Sequence, residues 1–161
     1  MAYYFDASAL VKVYTDEPGS SEVRKCFFSL GGKACTTTIC YYETLNVLKR
    51  KRFGQRPLTT DDEYHKAADE LSAWFSMSSA NTPELKLVDP RIFPKVRALS
   101  RKHAVDLSDA FQILIVKEGL YSPLIGTSQT ILVTADKGLA AAARSESIKV
   151  MEFDGTNWLA P

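Results

Sequence analysis

The strongest constraint on this chain is a unit that it uses near both ends. A short apolar run stops at an acid, and a helical pattern begins directly after it. Ala2-Tyr-Tyr-Phe5 is of strand type and Asp6 ends it; Ser8 then opens a helix whose face carries Leu10, Val11 and Tyr14. Near the other end, Thr130-Ile-Leu-Val-Thr134 is an apolar, β-branched strand, and Asp136 precedes an alanine-rich helix reaching Arg144. Strands that alternate with helices need crossover connections, which give a mainly parallel sheet covered on both faces.

The intervening sequence fits that scheme. Asp16-Glu-Pro-Gly19 reads as a turn, and Ser20 or Ser21 can cap a helix to about Leu30, ended by Gly31-Gly32. Lys33 to Thr37 is a second strand. Thr38 opens a helix from Ile39 to Phe53, and Gly54-Gln-Arg-Pro57 breaks it. Thr59 or Thr60 starts another helix, with Asp61, Asp62 and Glu63 in its first turn and Ser76 near its end. Met77 to Pro83 reads as a loop and Leu85 to Val88 as a short strand. Helices follow over Arg91–His103 and Asp106–Gly119, the second with a continuous apolar body from Ala110 to Val116. A loop spans Tyr121–Gln129, and Ile148–Met151 is the last strand. The expectation is one domain over 1–161: a three-layer α/β fold whose central, mainly parallel sheet has four to five strands, with the first strand at its centre.

The 161 residues suffice to bury a core, and 45% hydrophobic with 24% charged residues excludes a disordered or fibrous chain. A net charge of +1 provides no global basic field, so an electrostatic partner must be read from local patches. Cys26, Cys35 and Cys40 have no metal-type spacing and suggest free, buried thiols in a reducing compartment. No stretch has the length of a membrane span and the N-terminus has no signal pattern, so the expected location is the cytoplasm.

The acids carry the chemistry. Asp6 reads equally well as a helix cap and as a ligand at the carboxyl end of a strand, where open α/β sheets bind their ligands. Glu43 lies inside the Ile39–Phe53 helix, with Asn46 three residues on and on the same face. Asp106 and Asp109 open a helix, and either could serve its cap and dipole. Asp136 has the same bland reading. Taken together, they gather after several strands at one edge of a parallel sheet. Like charges that close require compensation, and a divalent cation supplies it. An all-oxygen set suits a hard ion, Mg2+ or Mn2+, one or two in number. Such a site hydrolyses phosphodiesters without a covalent enzyme intermediate.

Four stretches, in order, resemble the PIN-domain ribonucleases, and among them the VapC-type toxins of toxin–antitoxin systems: Tyr4-Phe5-Asp6-Ala7-Ser8-Ala9-Leu10, Tyr42-Glu43-Thr44-Leu45-Asn46-Val47-Leu48, Leu107-Ser108-Asp109-Ala110 and Val133-Thr134-Ala135-Asp136. The resemblance implies a PIN-like fold and metal-dependent endonucleolytic cleavage of RNA. It implies Asp6, Glu43, Asp109 and Asp136 as the catalytic and metal-binding quartet, with Ser8, Asn46 and Thr134 in support. It also implies a homodimer and a cognate antitoxin, with contacts clustering on the helices Ile39–Phe53 and Asp61–Ser76. Asp106 is an acid additional to that pattern, either a cap or a second metal contact.

Lys49-Arg50-Lys51-Arg52 ends the Glu43 helix. As a cluster it suits RNA phosphates, with Lys49, Arg50 and Arg52, and Lys137 beside Asp136, as the candidates; the bland reading is that cations favour helix C-termini. His65 and His103 read as structural or exposed. Tyr14, Tyr41, Tyr42, Trp74 and Phe75 read as core or dimer interface. Two alternatives remain. A haloacid-dehalogenase-like phosphohydrolase would need an acid where Ser8 stands. An inactive PIN or receiver-like module would bind a partner and cleave nothing.

Overall fold

The computed structural model describes residues 2–55, 57–78, 89–118 and 130–161. In chain order these form β1 (Tyr3–Phe5), α1 (Ala7–Tyr14), α2 (Ser20–Ser29), a 3-10 turn (Gly31–Lys33), β2 (Ala34–Cys35), α3 (Thr38–Phe53), α4 (Asp61–Ser78), α5 (Phe93–His103), α6 (Leu107–Glu118), β3 (Ile131–Thr134), α7 (Lys137–Ser145), β4 (Lys149–Phe153) and β5 (Trp158–Leu159). The strands make one sheet in the order β2-β1-β3-β4-β5. Tyr4 pairs in parallel with Cys35 on one side and Leu132 on the other; β3 and β4 are also parallel. β5 returns antiparallel along β4. β1 is therefore interior, and β3 holds the middle position expected for β1.

The two-residue period of the strands sorts the core into two layers. Tyr3, Phe5, Ile131 and Val133 face α1, α2, α3 and α4, where Leu10, Phe27, Leu48 and Leu71 pack on them. Tyr4, Leu132 and Val150 face the other way, onto α5, α6 and α7. Each fully buried side chain of this size contributes about 1.5–3 kcal/mol relative to leaving it in water. Sandwiching two- to five-residue strands between two helical layers therefore stabilises a sheet that pairing alone would not. The apolar body expected for α6 is buried throughout, and it includes Gln112, whose Nε2 donates to Thr37 Oγ1 at 3.1 Å. Tyr14, Phe27 and Trp74 form a chain of edge-on rings inside the α1–α4 layer, and Tyr41 stacks on Phe75. Tyr42 is exposed.

The ends of several elements differ from expectation for local reasons. Gly19, not Ser20 or Ser21, caps α2; it has φ +84°, and a Cβ there would lie 2.4 Å from the Phe153 ring. Thr37 caps α3, its Oγ1 accepting from Cys40 N at 3.1 Å. Thr60 and Glu63 form a reciprocal capping box at α4, each accepting from the other's backbone N–H. α4 runs on to Ser78, so Met77 is helical. The strand expected over Leu85–Val88 and the loop over Tyr121–Gln129 lie outside the described residues. Among those residues, no helix is long and apolar enough to cross a membrane. Cys35 and Cys40 are buried and free, while Cys26 is free and half-buried.

Candidate metal centre

Asp6 stands where β1 becomes α1, and its backbone serves both elements. Its N–H continues the sheet by donating to Val133 O at 3.0 Å, and its carbonyl accepts from Ala9 and Leu10 at the start of α1. The side chain is both cap and site residue. Oδ2 accepts from Ser8 N (3.1 Å), Ser8 Oγ (2.6 Å) and Thr134 Oγ1 (3.0 Å). The two hydroxyls each have one proton to give, and both give it to Asp6. Their own oxygens then accept backbone N–H groups, Ala135 N on Ser8 and Asp136 N on Thr134. Oδ2 is thus saturated, while Oδ1 has the Cys40 thiol at 3.9 Å as its neighbour.

Glu43 projects from the second turn of α3 toward Asp6. Asp109 sits in the first turn of α6, where the helix dipole favours a negative charge. Asp106 caps that helix, its Oδ1 accepting from Asp109 N and Ser108 Oγ. Asp136 caps α7 by accepting from Leu139 N at 2.9 Å. Asp6, Glu43, Asp106, Asp109 and Asp136 all line one cleft of about 520 Å3, together with Ser8, Asn46, Lys49 and Arg50.

The electrostatics show how closely these acids feel one another. Burial pushes the Asp109 carboxyl up to about 7, and the charges of Asp106, Asp6, Asp136 and Glu43 push in the same direction. Asp6 is raised by burial against the opposing hydrogen bonds from Ser8 and Thr134. Glu43 is raised by burial, with a hydrogen bond from Ser108 opposing and the Asp6 and Asp106 charges adding. Raised carboxyls in a shared cleft mark a fold that has brought acids together without enough positive charge to balance them.

The packing within the cleft is uneven. Asp6, Cys40 and Glu43 each offer a ligand atom, all within 4.8 Å of one another, and no other acid, His or Cys group among the described residues is as tight. Asp109 and Asp136 stand further out on the same cleft. An oxygen-rich donor set deficient in positive charge fits a hard divalent cation. Thr134 and Ser8 are on Asp6, and Asn46 lines the cleft, as the sequence suggests. The basic run divides. Lys49 and Arg50 line the cleft, while Lys51 turns to Glu17 and Arg52 is bound to Asp61 at 2.6 Å. Consecutive residues on a helix point about 100° apart, so a four-residue run cannot share one face. Lys137 does not line the cleft. Sequence reasoning missed two contributors, Cys40 and Ser108. Both could have been found from spacing, since Cys40 lies three residues before Glu43 and Ser108 adjoins Asp109.

Comparison with known proteins agrees with this architecture. The family model described as PIN domain matches residues 3–145. The chain belongs to the PIN domain family, whose members are typically nucleases and usually bind divalent metals. Among solved structures, the crystal structure of PAE2754 from Pyrobaculum aerophilum is similar, with a TM-score of 0.56 and 20% identity over 88% of this chain and 84% of that one. At that identity the likeness concerns the fold. Comparison with curated proteins finds no match.

Proposed function

We propose that this protein is a Mg2+- or Mn2+-dependent endoribonuclease and the toxin of a VapC-type toxin–antitoxin pair. The observation that carries this reading is the cleft itself: carboxylates on β1, α3, α6 and the β3–α7 junction converge in a PIN-family chain, and their mutual repulsion reaches Asp109. Asp6 through Oδ1, Glu43, Asp109 and Asp136 are the proposed ligands for one or two ions; Asp106, with two donors already on Oδ1, is the helix cap. The bound cation would polarise the scissile phosphate and lower the pKa of an attacking water.

The protein's own part is positioning. Ser8 and Thr134 hold Oδ2 of Asp6 and so fix the direction of Oδ1. Ser108 holds Glu43. Lys49 and Arg50 have no ion pair among the described residues and line the cleft, which suits them to the RNA backbone on either side of the cut. Asn46, one turn from Glu43, is a further polar contact. Arg52, paired with Asp61, and Lys137 stand off the cleft wall and would meet more distant phosphates. Ser8 also weighs against a phosphohydrolase of the haloacid-dehalogenase type, since its hydroxyl serves Asp6 where that reaction would need a second acid. The proposed contacts for the antitoxin and for a second copy are on α3 and α4, a reading supported by the exposure of Tyr42, Phe53 and Met77. The proposed location is the cytoplasm.

Incubation of varied RNAs with Mn2+, and in parallel with EDTA, tests the reading. Wild type should cleave only with Mn2+, and Asp6→Asn should lose about three orders of magnitude of rate, the scale on which a positioned electrostatic contact to the reacting centre acts. Asparagine can keep the helix cap, so Asp6→Asn should fold as well as wild type or better. Equal inertness of both proteins on every RNA, with a partner still bound, would leave only a binding module.

A further inference from the structure

The donor set nearest to Asp6 is not all oxygen. Cys40 is fully buried, and its Sγ lies 3.9 Å from Asp6 Oδ1, the one oxygen of Asp6 not saturated by hydroxyl and amide donors. Cys40 and Glu43 lie three residues apart on α3, so both look onto Asp6 from the same helix face. The three ligand atoms lie within 4.8 Å of one another. In a tetrahedral zinc site the metal stands about 2.3 Å from sulfur and about 2.0–2.2 Å from oxygen, so neighbouring ligands are about 3.3–3.7 Å apart. The observed triangle, with no side longer than 4.8 Å, would contract to that size around the ion.

Hard and soft cations use this triangle differently. Mg2+ demands oxygen ligands in near-octahedral order and gains nothing from a thiol. Zn2+ binds more tightly than Mn2+ to a given ligand set, and it selects for sulfur. We propose that Cys40 makes the cleft a site for thiophilic cations, with Zn2+ held by the Cys40 sulfur, one Asp6 oxygen and one Glu43 oxygen, in competition with the hard ion that supports cleavage. On binding, the S–H bond breaks, a Zn–S bond forms, and the proton leaves to buffer. The fourth position of the tetrahedron faces the cleft and takes a water. Asp109 and Asp136, further out, are left unliganded in this mode. Zn2+ is thus a metal that occupies the site without assembling the full acidic set. The inference rests on the reading of the cleft as a divalent-metal site.

The test uses the full chain and Co2+ as a spectroscopic probe for Zn2+. Titration of wild type with Co2+ should produce a sulfur-to-cobalt charge-transfer band with the intensity of one thiolate, and added Zn2+ should abolish it. Cys26→Ser and Cys35→Ser should keep the band; Cys40→Ser should lose it. Competition with a chromophoric chelator should show Zn2+ affinity falling in Cys40→Ser by at least about a hundredfold, the upper end of what losing even an outer contact costs at a metal site. Mn2+ binding, followed by its paramagnetic resonance, is read on the same samples. Mn2+ bound by wild type without a sulfur–cobalt band overturns the role of Cys40 and leaves the nuclease reading standing. Neither ion bound overturns both. The wild-type spectrum decides the matter without any substitution, so poor folding of Cys40→Ser does not obscure it.

Discussion

Two carboxylate clusters in this molecule have opposite electrostatic characters. At the end of α7, Glu146 has a side chain only 7% exposed, and it is ringed by nitrogen groups from α5 and α6: Lys102 Nζ and His103 Nε2 at 2.7 Å from Oε1, and Lys117 Nζ on Oε2. Hydrogen bonds from Lys102, Lys117 and His103 hold its carboxyl down to about 2. In the cleft, acids from four elements meet with, among the described residues, only Lys49 and Arg50 as cations along the wall, and the Asp109 carboxyl is pushed up to about 7. The first cluster is complete within the chain and joins three helices. The second is left deficient in positive charge, and that deficit is the opening through which a cation or a phosphate backbone can enter. His103, without a catalytic partner in the sequence, finds its role in the first cluster.

The contrast should appear most strongly in the response to metal. Asp109 has an ordinary value of 3.8 in the unfolded chain and about 7 in the fold, so in EDTA the native state holds a proton that the unfolded state releases. That contribution to stability is full below 3.8 and is lost as pH rises through 7. Melting temperature in EDTA should therefore fall across that interval, and Asp109→Asn should flatten the fall. Mn2+ at about a hundred times its Kd should restore about 2.7 kcal/mol to wild type at neutral pH. A wild-type melting curve indifferent to Mn2+ would remove the distinction between the clusters.

The next effect in size belongs to Glu146. Glu146→Gln should cost about 2 kcal/mol, the scale of charge-assisted hydrogen bonds lost from a buried carboxylate, and should leave Mn2+-dependent cleavage unchanged. Its pH signature has the opposite sign. The wild-type contribution is present above 4.5 and lost as pH falls through about 2, so acid titration of the two proteins should converge. Loss of cleavage in Glu146→Gln would mean that the clusters are coupled. The smallest effect concerns the cleft wall. Arg50→Ala and Lys49→Ala should each lower the slope of log affinity for single-stranded RNA against log salt by about 0.7. Lys51→Ala should not, because Lys51 is already paired with Glu17.

Much of this architecture is legible in the chain because it depends on local pattern. The apolar runs at Tyr3 and Ile131 are short, yet each is bounded by an acid and a helix, and the structure keeps both. The runs are apolar throughout, as strands covered on both faces must be, so they do not record which side of the sheet each residue faces. β5 was not legible: Trp158-Leu159 has no period to read, and it is a strand only because β4 offers an edge and Trp158 Nε1 donates to Gly19 O. The cap of α2 was hidden for a similar reason, since Gly19 is required by Phe153, far away in sequence. Within the cleft, residue types and order pointed to the acids, but not to their unequal spacing. From sequence Cys40 is only a free, buried thiol, because its neighbour Asp6 lies 34 residues away. The basic run looked like one patch because sequence proximity conceals the rotation of a helix.

The pairing of β1 with β3 has a consequence in time. Asp6 is made well before the hydroxyl that completes its hydrogen bonds, which belongs to Thr134, 128 residues later. At ordinary rates of synthesis, about 5–20 residues per second, that interval is roughly 6 to 26 s. Throughout it β1 has only β2 beside it, the backbone partner at Val133 does not yet exist, and the Asp136 wall of the cleft is missing. A translation product interrupted between Asp109 and Ile131 carries Asp6, Glu43 and Asp109 without the strand that brings them to one edge. The chemistry of the cleft is thereby withheld until β3 and Asp136 have been made.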